Sequence, residues 1–279
     1  MRIIISCFEK NRSNRLCSND KHEPGSFLES GFFILRKMEM TQNMKAYSPE
    51  DLKVWTTLFQ RQKQNLKGKV CSEYDEALED MREVLNEHEI PEFEKINQWF
   101  AGRTGWRIKV VPGLIPVEDF FALLAEKQFC SSTWLRSMEQ LDYLEEPDMF
   151  HDTFGHIPLL ANPVFSDFMQ AFGELGCTML HDQDVVLQLQ RLYWYTIEFG
   201  MIQPESPKIY GAGIISSFGE TNRAVSKEVA KIPFQMEEVL NKLFKTDEVQ
   251  EEYVCIDSFE TLFASFVKLK NQQLCQIGL

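Results

Sequence analysis

The sequence predicts a mainly α fold of the α+β class, a single domain of many helices with a few short strands. Apolar residues recur at spacings of three and four through most of the chain. Alternation is confined to short runs such as Arg107-Ile-Lys-Val-Val111. A composition of 44% hydrophobic and 12% aromatic residues, with 22 Phe, is ample for one sizeable core in 279 residues.

Residues 1–44 read as a poorly structured extension, mixing Asn, Ser, Lys and Glu with the turn Glu23-Pro-Gly-Ser26 around one apolar run, Phe32-Phe-Ile-Leu35. Met38, Met40 and Met44 offer alternative starts within it. The domain proper is expected over residues 45–279. It opens at Ser48-Pro-Glu-Asp51, which combines an N-cap serine, proline at the first helical position and acids in the first turn. Leu52, Trp55, Leu58 and Phe59 then follow at helical spacing. A second helix is predicted from Ser72 to Glu87, and a third after Pro91, through Phe93, Ile96, Trp99 and Phe100, ending before Gly102. Arg107–Val111 is a short strand running into the turn Pro112-Gly113. A helix from Val117 to Lys127 and a second short strand from Phe129 to Leu135 come next. Helices are predicted at Pro163–Leu180, Val185–Phe199 and Phe234–Phe244, then a strand at Tyr253–Ile256. Ser258 caps a last helix ending near Lys270.

A formal charge of −13 argues against a general nucleic-acid binder, because phosphate contacts need clustered Lys and Arg. The charge is uneven: residues 1–40 carry seven Lys/Arg against five Asp/Glu, which leaves −15 for the remainder. Seven cysteines without a CxxC pair suit a reduced, cytoplasmic protein. No apolar run approaches the ~18 residues of a membrane span, and no membrane association is expected.

The chemistry concentrates in two segments. Between Pro147 and His156 the chain reads PDMFHDTFGH, holding two of its five histidines. Farther on, RLYWYTIEFG sets Glu198 alone among apolar and aromatic neighbours. His151 and His156 are five apart, about 140° around an ideal helix. Both reach one ion only if the helix ends between them, a task for which Gly155 and Pro158 are suited. A carboxylate in the place of Glu198 is costly to bury unpaired. Trp194, one helical turn before it, would point into the same cavity. Two imidazoles and one carboxylate would leave half of a metal's coordination sphere open, as suits non-haem Fe(II). From spacing alone two other readings stay open: Glu198 pairs with an Arg or Lys, or the trio is a zinc site activating water for hydrolysis.

The stretches VVPGLIPVEDFF, TWLRSMEQLDYLEEPDMFHDTFGHIPLL, YWYTIEFG, YGAGIISSFGE and IDSFE occur in that order between Val110 and Phe266. Together they resemble the pterin-dependent aromatic amino acid hydroxylases, most closely the short bacterial phenylalanine-hydroxylating branch. The resemblance implies that residues 45–279 are a catalytic domain with that family's fold, and that His151, His156 and Glu198 ligate Fe(II). It places a tetrahydropterin against backbone at Gly113, Leu114 and Ile115, with Phe120 stacked on its ring and Asp152 and Tyr193 lining the same side. It gives Arg136 the substrate's α-carboxylate, a bidentate task for which Lys is poorly suited. Trp194, Phe199 and Pro147 would wall the aromatic ring, and Gly213 and Ser216 would allow close approach and hydrogen bonding around the amino acid. No side chain beyond the metal ligands is assigned a separate catalytic role.

Some positions depart from the pattern. Val117 stands where animal members have a pterin-holding serine, and Leu144 where they have a threonine that assists amino-acid binding. Thr246 falls at a position that sways phenylalanine against tyrosine preference. No counterpart of the animal regulatory domain is expected, and the thirteen residues after Phe266 are too few for a four-heptad coiled coil, so a monomer or weak dimer is expected. The expected activity is iron-, pterin- and dioxygen-dependent hydroxylation of a free aromatic amino acid, phenylalanine to tyrosine first. Trp194 favours that choice, and tryptophan or tyrosine hydroxylation is the alternative within the same chemistry.

Overall fold

Helix α1 (Pro49–Leu66) begins where local chemistry dictates. The Ser48 hydroxyl accepts the Asp51 N–H at 3.2 Å, and the Asp51 carboxylate accepts the Ser48 N–H at 2.7 Å. In this computed structural model residues 40–278 are described, apart from residues 143, 145, 246 and 247. Most of the extension expected over residues 1–44, and Thr246, lie outside the described residues. α1 buries Val54, Trp55, Leu58 and Phe59.

Helix α2 (Ser72–Asp80) is shorter than its apolar stripe, because Met81 and Leu85 remain buried in a turn beyond it. Side chains of α1 divert the chain there: Trp55 Nε1 donates to the Asn86 carbonyl and the Thr56 hydroxyl to the Glu87 carbonyl, both at 2.8 Å. Helix α3 (Phe93–Ala101) follows, ending before Gly102 as expected.

Strand β1 (Arg107–Val110), helix α4 (Val117–Ala125) and strand β2 (Gln128–Ser131) form a crossover unit with β1 and β2 parallel, Arg107 facing Gln128 and Val110 facing Ser131. The second strand is shorter than the expected Phe129–Leu135. Helix α5 (Pro163–Thr178), capped by Asn162, lies tightly along α4. A β-carbon at Gly173 would collide with the Ala125 backbone, and one at Gly176 with the Phe121 ring. Helix α6 (Gln183–Tyr193) is capped by Asp182.

A second sheet orders its strands β4-β3-β6-β5: β3 (Met201–Ile202), β4 (Lys208–Ile209), β5 (Ala230–Pro233) and β6 (Glu252–Ile256). Only β6 was legible as a strand; the others are two to four residues long and exist by pairing with it or with each other. Helices α7 (Ala212–Ile215) and α8 (Phe218–Ala224) lie between β4 and β5. Helix α9 (Met236–Asn241) is shorter than predicted, and α10 (Phe259–Gln276) runs past Lys270. α10 packs on α5 through Phe266, whose ring meets Phe168 edge-on at 5.3 Å.

The absence of a β-carbon at Gly173 is what lets α4 and α5 meet. A Gly173→Ala variant should therefore lose on the order of 1–3 kcal/mol, read as a lowered midpoint in urea with the slope unchanged.

Candidate functional site

His151–His156 is a π-helical turn, not a helix end. The expectation that the helix stops between the two histidines is corrected here. Hydrogen bonds that skip five residues add about one residue to the turn, which returns positions five apart to one side of the helix. Gly155 serves packing rather than termination: a β-carbon there would stand 2.9 Å from the Ala212 carbonyl of α7. Pro158 starts the short 3₁₀ helix Pro158–Ala161, at a first-turn position where its missing N–H costs little. The turn is fixed from behind. Phe150 and Phe154 stack at 4.8 Å, Phe154 meets Phe59 edge-on at 5.0 Å, and the Tyr74 hydroxyl donates to the Phe154 carbonyl at 2.7 Å.

Glu198 ends a second π-helical turn, Trp194–Glu198, that continues from α6. The two turns bring His151, His156 and Glu198 together, with one donor atom of each within 4.8 Å of the others. The two Nε2 atoms are 3.2 Å apart. Glu198 Oε1 lies 3.2 Å from His156 Nε2, and Oε2 lies 3.8 Å from His151 Nε2. Bonds of about 2.1 Å to one ion place neighbouring donors about 3.0–3.4 Å apart, from octahedral to tetrahedral angles. The set therefore fits a metal.

Charge agrees with the spacing. All three residues are buried, and among the described residues the Glu198 oxygens have no well-formed hydrogen bond, only the His156 and His151 nitrogens and the Tyr193 hydroxyl beside them. A bare buried carboxylate is costly without a cation. Burial drives the His151 imidazole down to about 3, so the ring is neutral. Its Nδ1 meets the Ser216 hydroxyl at 2.8 Å; with the proton there, the Nε2 lone pair faces His156 and Glu198. Among the described residues no other such group of metal-ligating side chains occurs, and three protein donors leave room for exchangeable ones.

A cavity of about 370 Å³ opens beside His151. Arg136, Pro147, Trp194, Phe199, Gly213 and Ser216 all line it, so the tertiary structure gathers the whole set expected around an amino acid. Glu198 is not in its wall, contrary to the expectation that Trp194 and Glu198 share it; the carboxylate turns to the histidines instead. The residues expected around a pterin lie elsewhere, since none lines this cavity. Gly113, Leu114 and Ile115 form the loop between β1 and α4. Gly113 has φ +150°, and a β-carbon there would meet open space. Phe120 on α4 meets Tyr193 edge-on at 5.5 Å, and the Tyr193 ring lies 6.3 Å from the His156 ring. The Asp152 carboxylate accepts the Ser132 N–H at 3.1 Å, and burial pushes its carboxyl well above the usual range.

Sequence reasoning missed Asp148. This fully buried carboxylate accepts Arg136 Nε at 2.9 Å and Nη2 at 2.8 Å, and also the backbone N–H groups of Arg136 and His151. It thereby joins the cavity arginine to the histidine turn. The sequence offered little to single it out, because Asp152 lies four residues on and Glu145 and Glu146 stand just before it.

Residues 36–274 match the model of the family described as biopterin-dependent aromatic amino acid hydroxylase. The phenylalanine-4-hydroxylase of Chromobacterium violaceum is 44% identical over 226 residues, covering 80% of this chain and 75% of that one. A crystal structure of the Chromobacterium violaceum enzyme with bound iron(III) and 7,8-dihydrobiopterin superposes with a TM-score of 0.79 at 40% identity, covering 95% of this chain and 92% of that one. Its iron- and phenylalanine-bound form gives 0.76 at 38% identity, with the same coverage.

Burial alone would raise the Asp148 carboxyl, but the Arg136 guanidinium outweighs burial and holds it below the usual carboxylate range. A depressed acid contributes stability above its unfolded value, about 4, and loses it as pH falls through the folded value. Asp148→Asn should cost on the order of 3–5 kcal/mol at neutral pH and flatten the loss of stability below about pH 4, as read by denaturant unfolding across pH.

Proposed function

This chain belongs to the biopterin-dependent aromatic amino acid hydroxylases, and from that premise we propose that it hydroxylates the ring of free phenylalanine. The observation that carries the reading is the buried Glu198 carboxylate facing the His151 and His156 imidazoles beside a cavity with an aromatic wall and an arginine. His151, His156 and Glu198 hold Fe(II). With that ion and a reduced pterin bound, the site would have the reducing equivalents needed to activate dioxygen for hydroxylation of the ring.

The chain's own residues bind, orient and exclude water. Arg136 spends Nε and one N–H of Nη2 on Asp148, and Nη1 faces the Leu141 carbonyl at a long 3.5 Å, which leaves the remaining N–H groups of Nη1 and Nη2 for the α-carboxylate of the amino acid. Trp194, Phe199 and Pro147 wall the aromatic ring, and Gly213 admits it close to backbone. Ser216 lines the cavity but also fixes the His151 ring, a task the sequence did not suggest. On the other side of the histidines, Gly113, Leu114 and Ile115 offer backbone to the pterin, Phe120 its ring face, and Asp152 and Tyr193 the remaining wall. Phenylalanine is the choice because the bulky Trp194 narrows the slot, and the relatives named above are phenylalanine hydroxylases.

A cytoplasmic location and a monomer or weak dimer complete the reading. It is supported by free thiols at Cys71, Cys130, Cys177, Cys255 and Cys275. No helix among the described residues is long and apolar enough to cross a membrane.

Purified protein given Fe(II), a reduced pterin and each of phenylalanine, tyrosine and tryptophan should consume oxygen and yield tyrosine from phenylalanine. Zn(II) in place of Fe(II), or omission of the pterin, should abolish this. Chromatography showing no hydroxylated product from any of the three would end the assignment. Glu198→Ala should lower bound iron from about one per chain to a small fraction, measured by atomic absorption, together with turnover. Arg136→Lys should raise the phenylalanine KM by roughly 10–100-fold while leaving the pterin KM near its original value.

A further inference from the structure

The Trp194 indole lies between two rings, Phe199 at 4.6 Å and Phe244 at 5.3 Å, and faces the cavity. Rings alone do not decide which edge of an indole points where, because a half-turn about its long axis offers similar apolar contact. Its N–H does decide. Nε1 donates to Gln250 Oε1 at 3.1 Å, and both residues are buried. A flipped indole would bury that donor without a partner and leave the Gln250 carbonyl facing carbon.

Gln250 is itself held on both sides by helix α8. Arg223 Nε donates to its main-chain carbonyl at 2.7 Å, and its main-chain N–H faces the Glu220 carboxylate, which also takes the Tyr253 hydroxyl at 2.6 Å. Its amide is oriented by Nε2 facing the Glu248 carbonyl at 3.5 Å, which leaves Oε1 for the indole. Glu220, Arg223, Glu248 and Val249 all line the same cavity as Trp194. One continuous set of contacts thus runs from α8 through Gln250 to the aromatic wall.

We propose that Gln250 is a positioning residue that sets ring selectivity by fixing the Trp194 indole in the one orientation that shapes the slot for a phenyl ring. This rests on the hydroxylase reading above and names a determinant within that site. A pocket wall that turns changes which ring fits, so the effect falls on discrimination between a phenyl and an indole substrate more than on the chemistry.

The test compares kcat/KM for phenylalanine and for tryptophan in the iron-loaded full chain. Gln250→Leu, similar in size but without the acceptor, should reduce the phenylalanine preference about tenfold, chiefly through the amino-acid KM, with the pterin KM unmoved. Gln250→Glu, which keeps an acceptor oxygen, should restore the ratio to within about twofold of the parent. In a Trp194→Phe background, which has no N–H to hold, Gln250→Leu should have no further effect on the ratio. An unchanged ratio in Gln250→Leu overturns the proposal, as does failure of Gln250→Glu to restore it or an equal shift in the Trp194→Phe background. If the parent hydroxylates no aromatic amino acid, the hydroxylase reading fails by itself. A crystal structure of Gln250→Leu then decides the positioning role: a reoriented indole supports it and an unmoved one overturns it.

Discussion

A buried carboxylate set against two imidazoles is the constraint around which this structure is arranged. Glu198 is buried, and its two oxygens face the Nε2 atoms of His156 and His151 at 3.2 and 3.8 Å. Such an arrangement is unfavourable as a set of side chains and favourable as a ligand set. The two widened helical turns, the rings behind Phe154 and the Ser216 hydroxyl all serve to hold three donors in that relation.

The surroundings of the trio divide into two kinds of wall. One side is a cavity of mixed character, with Arg136 braced by the buried Asp148 and an aromatic slot formed by Trp194 and Phe199. On the other, the Tyr193 ring packs against both His156 and Phe120, an aromatic surrounding. An amino acid needs the first kind of wall, because it brings a charge as well as a ring. A heterocyclic co-substrate needs the second, because its recognition is by stacking and backbone contact. Asp148 links the two requirements of the first wall: it orients the arginine and accepts an N–H from the histidine turn, which ties the cavity to the ligand set.

Elements governed by local chemistry were legible in the sequence. The Ser48 and Ser258 caps, the Pro91 boundary and the apolar stripes of α1, α3 and α5 need no distant residue to specify them. Elements that depend on a partner were not. Strands β3, β4 and β5 are too short to alternate and are strands because β6 or a neighbour bonds them. Helix α2 stops early, and Trp55 and Thr56 of α1 bond the carbonyls of Asn86 and Glu87 in the turn beyond it.

The candidate site followed the same division. The sequence determined which side chains carry chemistry, because two histidines in one decapeptide and a lone acid among aromatics are unusual enough to stand out, and a five-block resemblance fixed their family. Only the tertiary structure decided that His151 and His156 meet by a widened turn rather than a broken helix. It likewise decided that Asp148 holds Arg136, and that Gln250 holds Trp194 across 56 residues of chain. The physical reason is range. Residue identity and helical period are encoded within a few positions, whereas an insertion in a helical turn and a hydrogen bond between distant segments are settled by what packs against them.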